Sequence, residues 1–248
     1  MNGATGRRPP NNQDPAVNRL SRQPFVWMLA ALLSLLVLIP ADRNTLGGRL
    51  LAGALFTAAY LAGFVIVFKQ PRHRVAGLLT GVPALAVVWA GIAVPPPTPL
   101  PLTLAGHILS ILFLAVTTTV ILKSVFQLAE VTTDTVAGAL CGYLLLGVAF
   151  GHAYSLIDIL APGSFVGGDL AGERTDPGRT HAVLTYFSVT TLTTVGYGDV
   201  TPATGLTRGL SNVEAILGQF YLAVVIADLI GKWVAQALAD RAADSTGR

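Results

Sequence analysis

The sequence predicts an all-α membrane protein that crosses a bilayer in six helices and dips into it with a further, shorter one. Three observations carry that class. Hydrophobic residues make up 52% of the chain and charged residues only 12%, a balance far from that of a soluble domain of this size. The apolar residues are gathered into six long runs, with most of the charge lying between them. Between the fifth and sixth runs sits another, too short to span, followed by a stretch in which glycine alternates with bulkier residues.

In order along the chain, residues 1–23 hold Arg7, Arg8, Arg19 and Arg22 among Pro, Asn and Gln, with little apolar surface to bury. They read as a disordered cytoplasmic tail. The first apolar run, 25–39, follows a basic stretch, which is also the outline of a secretory signal. The segment Leu38-Ile39-Pro40-Ala41 lacks the small residue two places before Ala41 that a cleavage site needs, so the run reads as a slightly short membrane helix. The second run, 50–68, has full bilayer length and is closed by Lys69, Arg72 and Arg74. The third, 75–94, contains Pro83, which helices inside a membrane tolerate.

Residues 95–101, rich in proline, form a stiff uncharged turn. The fourth run, 102–122, ends at Lys123, so that 24–122 makes a four-helix unit. Residues 123–134 mix Phe126, Leu128 and Val131 with Lys123, Gln127, Glu130 and Asp134; they read as a linker on the cytoplasmic face or simply a short connecting loop. The fifth run, 135–160, carries Gly138, Gly142, Gly147 and Gly151, which let helices approach closely. Residues 161–181 are a hydrophilic loop, 182–193 a re-entrant helix, and 210–234 the sixth span. The unit 135–234 is thus outer helix, short helix, glycine stretch and inner helix. Residues 235–248 are expected to be a short cytoplasmic tail, too short for a ligand-sensing domain.

Charge sets orientation. With the N-terminus inside, Arg43, Arg49, Arg174, Arg179 and Arg208 fall outside, and the other Lys and Arg residues fall inside, as the positive-inside rule requires. The net charge of +3 is scattered between apolar runs rather than clustered, which speaks against a nucleic-acid partner. The single cysteine, Cys141, excludes an intrachain disulfide and lies in an apolar run, where it reads as a small buried hydrophobe.

The glycine stretch is the most specific feature. Gly196 and Gly198 have no Cβ, so the backbone there can take positive φ and turn successive carbonyls the same way. Four copies around an axis could then replace the water shell of a dehydrated cation, with the Thr194 hydroxyl adding an innermost ring. Thr194-Val195-Gly196-Tyr197-Gly198, followed by Asp199, resembles the filter of the tetrameric potassium channels. The surroundings agree: a short helix precedes it, and spans lie on either side.

That resemblance implies a homotetramer in the plasma membrane, with both termini cytoplasmic, no cofactor, and K+ as the permeant ion coordinated by Thr194, Val195, Gly196, Tyr197 and Gly198. It also assigns roles by ungapped matching. Tyr186 and Phe187 take the places of the aromatic cuff behind the filter, and many members have tryptophan there, so a hydrogen bond to Asp199 must come from Tyr186 or be missing. Thr190 stands where some members carry a glutamate that couples to the aspartate. Asp199 itself would concentrate cations at the outer mouth. Gly218 falls on the glycine at which inner helices of the family bend, although close helix packing would explain it equally. The same register puts Gln219, Leu222, Ile226, Ile230 and Val234 on the cavity and gate face, the last four along one helical stripe.

Two ionisable residues of the last span call for partners. Glu214 would sit behind the filter or face a neighbouring helix. Asp228 precedes Lys232 by one turn and reads as an i,i+4 ion pair. The fourth run contains no Arg or Lys, and His107 is its only ionisable group; the second and third runs lack acidic residues. The first four helices therefore resemble a voltage-sensor domain without gating charges, and voltage dependence is expected to be weak. His73, His107, His152 and His181 show no metal-ligand spacing and no nucleophile motif appears, which argues against an enzyme. A potassium transporter of the uptake type would need four degenerate filter loops in one chain, and only one is present. An accessory subunit would leave the intact filter unexplained.

Overall fold

The computed structural model of the protein describes residues 23–38, 46–68, 70–93, 99–128, 130–168, 170 and 177–246. Each apolar run became a helix: α1 (Pro24–Leu38), α2 (Leu46–Phe68), α3 (Arg74–Ala93), α4 (Leu100–Gln127), α5 (Thr133–Leu160), the short α6 (Pro177–Leu192) and α7 (Gly205–Thr246). A 3-10 turn, Pro71–His73, joins α2 to α3. The expected tail 1–22 lies outside the described residues.

Among the described residues, four segments are long and apolar enough to cross a bilayer: Pro71–Gly91, Leu100–Gln127, Thr133–Leu160 and Gly205–Ala243. The stretches Pro24–Val37 and Gly53–Phe68 are apolar but shorter. At about 1.5 Å per residue, α1 reaches only about three quarters of the way across a hydrocarbon core some 30 Å thick.

Several boundaries differ from the sequence expectation. α4 does not stop at Lys123 but continues to Gln127, because lysine is a good helix former whose ammonium can reach water while its stem stays apolar. The separate tail expected at 235–248 is, as far as it is described, the end of α7, where an alanine-rich sequence carries the helix on to Thr246. The loop 161–181 is not all loop. Phe165–Gly167 (β1) pairs antiparallel with Val200–Pro202 (β2), so a two-stranded ribbon joins the otherwise helical fold. Residues 177–181 already belong to α6. Pro101, expected in the turn, sits in the first turn of α4, where its missing N–H breaks no helical bond.

The largest of three apolar clusters joins α1, α2, α4, α5 and α7. Met28 and Leu32 of α1, Ile66 and Val67 of α2, Val120, Ile121 and Val125 of α4, and Cys141 and Leu145 of α5 are buried in a single cluster that Val225 of α7 also enters. The four glycines of α5 serve four different contacts. A Cβ on Gly138 would meet Phe25, one on Gly142 the Tyr221 hydroxyl, one on Gly147 Leu192, and one on Gly151 Thr185. Helix α5 is therefore the spine against which α1, α6 and α7 lie.

Polar ends are tied by long-range hydrogen bonds. Asp134 Oδ1 on α5 accepts from the amides of Phe25 (3.0 Å) and Val26 (3.1 Å), satisfying two of the donors that the start of α1 leaves without an intrahelical acceptor. At the C-terminal end of α4, Lys232 Nζ on α7 donates to the carbonyls of Val125 (3.0 Å) and Phe126 (2.9 Å) while bonding Asp228 Oδ2 at 2.7 Å. Gln236 Oε1, one turn further, accepts from the Val131 amide at 3.2 Å. The ion pair read from the sequence is thus one arm of a larger clamp.

Candidate functional site

The site is built by α6 together with residues 194–198, a single strand of chain that belongs to no sheet, and the ribbon beyond it. The C-terminal turn of α6 closes on itself: the Thr190 carbonyl accepts from the amides of both Val195 (2.9 Å) and Gly196 (3.1 Å), and Thr194 N–H donates to the Thr191 carbonyl (3.0 Å). Thr194 sits at φ 61°, the left-handed conformation that usually ends a helix on glycine. A β-branched residue held there is strained, and strain of this kind gathers at functional segments. Gly196 (φ 54°) and Gly198 (φ 77°) come next, both where a side chain would be disfavoured.

The strand so formed lies open on one side. Val195 is 53% exposed and Tyr197 71% exposed in the isolated chain, and residues 193–199 are all exposed. Its far end is fixed. The Tyr186 hydroxyl donates to Asp199 Oδ2 at 2.9 Å, Asp199 Oδ1 accepts from the Val200 amide at 3.1 Å, and the rings of Tyr186 and Tyr197 lie parallel with centroids 6.3 Å apart. Beyond Asp199 the chain enters β2, which β1 holds in register, and the ribbon is closed by Ala203 N–H and Thr207 Oγ1 both donating to the Ser164 carbonyl. Gly167 of β1 passes so near the Asp199 carbonyl that a Cβ there would collide with it.

The two aromatic residues expected behind the strand part company. Tyr186 faces the strand. Phe187 is buried one layer back, edge-on to Tyr154 (5.4 Å) and Phe165 (5.3 Å). Thr190 bonds back to the Phe187 carbonyl at 2.9 Å. Behind these lies a buried polar cluster: Glu214 of α7 accepts from the Tyr154 hydroxyl of α5 at 2.5 Å and from the Ser188 hydroxyl of α6, and Ser188 Oγ also lies 2.6 Å from the Gly147 carbonyl. Glu214 is wholly buried, so the partners its depth demanded come from two other helices.

Gly218 lies where α7 passes the end of α6, with space for a Cβ only 2.5 Å from the Leu192 carbonyl. The same carbonyl accepts from the Tyr143 hydroxyl of α5 at 2.9 Å. Helix α7 runs unbroken through Gly218 from Gly205 to Thr246, so in this conformation the residue allows a close approach. Gln219, Leu222, Ile226, Ile230 and Val234 succeed it along α7; Ile226, Ile230 and Val234 are 51%, 56% and 43% exposed.

One group escaped sequence reasoning. His107, His152 and His181, from α4, α5 and α6, meet in the interior, while His73 lies apart in the 3-10 turn. Their separations in the chain follow no ligand spacing, and His181 falls in what reads as a loop, so no local signal existed. Only the packing of three helices brings them together.

No curated protein and no solved structure matches the chain. Residues 139–235, which run from α5 through the strand 194–198 and into α7, match the family model described as "Ion channel". The match and the apolar helices together support an ion channel domain in a membrane, rather than an enzyme, for this part of the chain.

Proposed function

We propose that the chain forms a homotetrameric, potassium-selective channel that conducts K+ passively across the cell membrane, with six spans per subunit and both termini cytoplasmic. The observation that carries this reading is the strand Thr194–Gly198, presented at the end of a short helix with glycines at positive φ and one bare side. A strand fixed from behind and open in front suits a ring of four, in which backbone oxygens stand in for the hydration shell of K+. Tyr186 and Asp199 hold its outer end, Phe187 and Thr190 support it from behind, and α7 lines the cavity through Gln219, Leu222, Ile226, Ile230 and Val234. Closure by dewetting of that apolar stripe follows from its composition.

Reconstitution in liposomes under a potassium gradient tests the proposal. The wild type is expected to pass K+ in preference to Na+, and Gly196→Ala, which forces a Cβ onto a backbone at φ 54°, to lose that flux. Equal passage of both ions by the wild type would remove selectivity from the proposal, and an unchanged Gly196→Ala would remove the site.

A further inference from the structure

The three buried histidines form a compact constellation that conduction does not use. One ring nitrogen from each of His107, His152 and His181 lies within 4.8 Å of the others. His107 Nδ1 is 3.0 Å from His152 Nδ1, the His152 and His181 rings stack at 4.1 Å, and Ser155 Oγ is 3.0 Å from His181 Nδ1. A neutral imidazole offers one N–H and one lone pair. The two facing Nδ1 atoms need one hydrogen between them, and whichever ring supplies it, His152 Nε2 is left buried without a partner. Hydrogen bonding within the protein therefore leaves a ring nitrogen of His152 idle.

We propose that His107, His152 and His181 together bind a divalent transition-metal ion of the zinc, nickel or copper class. Three neutral nitrogens suit such borderline ions, whereas Ca2+ and Mg2+ select carboxylates and carbonyls. Tetrahedral zinc with Zn–N bonds of about 2.0–2.1 Å places its donors about 3.3 Å apart, so side-chain rotation alone closes the observed spread. The fourth position is left to solvent. His181 lies in the first turns of α6, so the ion would pin the helix leading into the strand 194–198 to α4 and α5. The site stands whether or not the chain conducts.

Tag-free full-length protein in detergent micelles is titrated with Co2+ as the probe. The wild type is expected to take up one ion per chain, with the strong visible bands of tetrahedral cobalt, and Zn2+ to displace it. His107→Gln, His152→Gln and His181→Asn are each expected to weaken binding at least ~10-fold, whereas His73→Gln leaves it unchanged. X-ray absorption on the zinc-loaded wild type, which needs no variant to fold, is expected to count three imidazole ligands. The proposal is overturned by the lack of saturable uptake, by fewer than three imidazoles, or by triad variants that bind as the wild type does.

Discussion

At the scale of single residues, the carboxyl of Glu214 has the largest structural leverage. It takes hydrogen bonds from Tyr154 and Ser188 inside a wholly buried pocket, so its removal takes a buried acceptor from the Tyr154 hydroxyl, while Ser188 keeps the Gly147 carbonyl. Glu214→Ala is expected to destabilise the folded chain by about 1–3 kcal/mol, the range for a buried polar group left unpaired. Thermal unfolding in detergent reads this. Glu214→Gln, which keeps the volume and one acceptor oxygen, should retain most of the stability; equal losses in both variants would mean that both carboxyl oxygens are needed as acceptors. At the outer end, Tyr186→Phe deletes the hydroxyl that holds Asp199 and leaves the ring beside Tyr197. Its K+ flux in liposomes is expected to fall several-fold while folding is unaffected.

Among elements, the approach of α7 to the end of α6 depends on a missing side chain. Gly218→Ala places a methyl 2.5 Å from a backbone oxygen that cannot rotate away, so the helices must separate. A loss of about 1–3 kcal/mol is expected, as for other overpacked contacts, and unfolding of the variant checks it. If Gly218→Ala unfolds as the wild type does while its flux collapses, bending rather than packing would be the residue's use. Much at this scale was legible in the sequence. The apolar runs located every helix, and Gly138, Gly142, Gly147 and Gly151 marked α5 as a closely packed helix, because both signals are local. The strand 194–198 was legible for the same reason, since positive φ at Gly196 and Gly198 is a property of those residues alone. The ribbon β1–β2 was not, because three-residue strands carry no periodicity. The partners of Glu214 and the meeting of the histidines were likewise hidden, since each joins residues from separate helices.

For the molecule as a whole, the exposed surface of α7 is informative. Val213, Ile216, Phe220, Val224, Ile226, Ile230 and Trp233 are all more than 45% exposed in one chain, a length of apolar helix for which lipid and neighbouring copies are the available cover. Native mass measurement in detergent is expected to find four chains, and a monomer competent in ion flux would contradict the proposed pore. The fourth helix carries no basic residue between 102 and 122, so a conductance–voltage curve is expected to be shallow compared with that of a channel bearing several arginines there.

The grip of Lys232 on the end of α4, with Gln236 holding the loop that follows, has a mechanical meaning. Because the lysine fastens one helix tail to another directly, sideways travel of α7 around Lys232 would tug on the carbonyl end of α4. Strain placed on either helix would then reach the other through these two bonds rather than only along the chain between them.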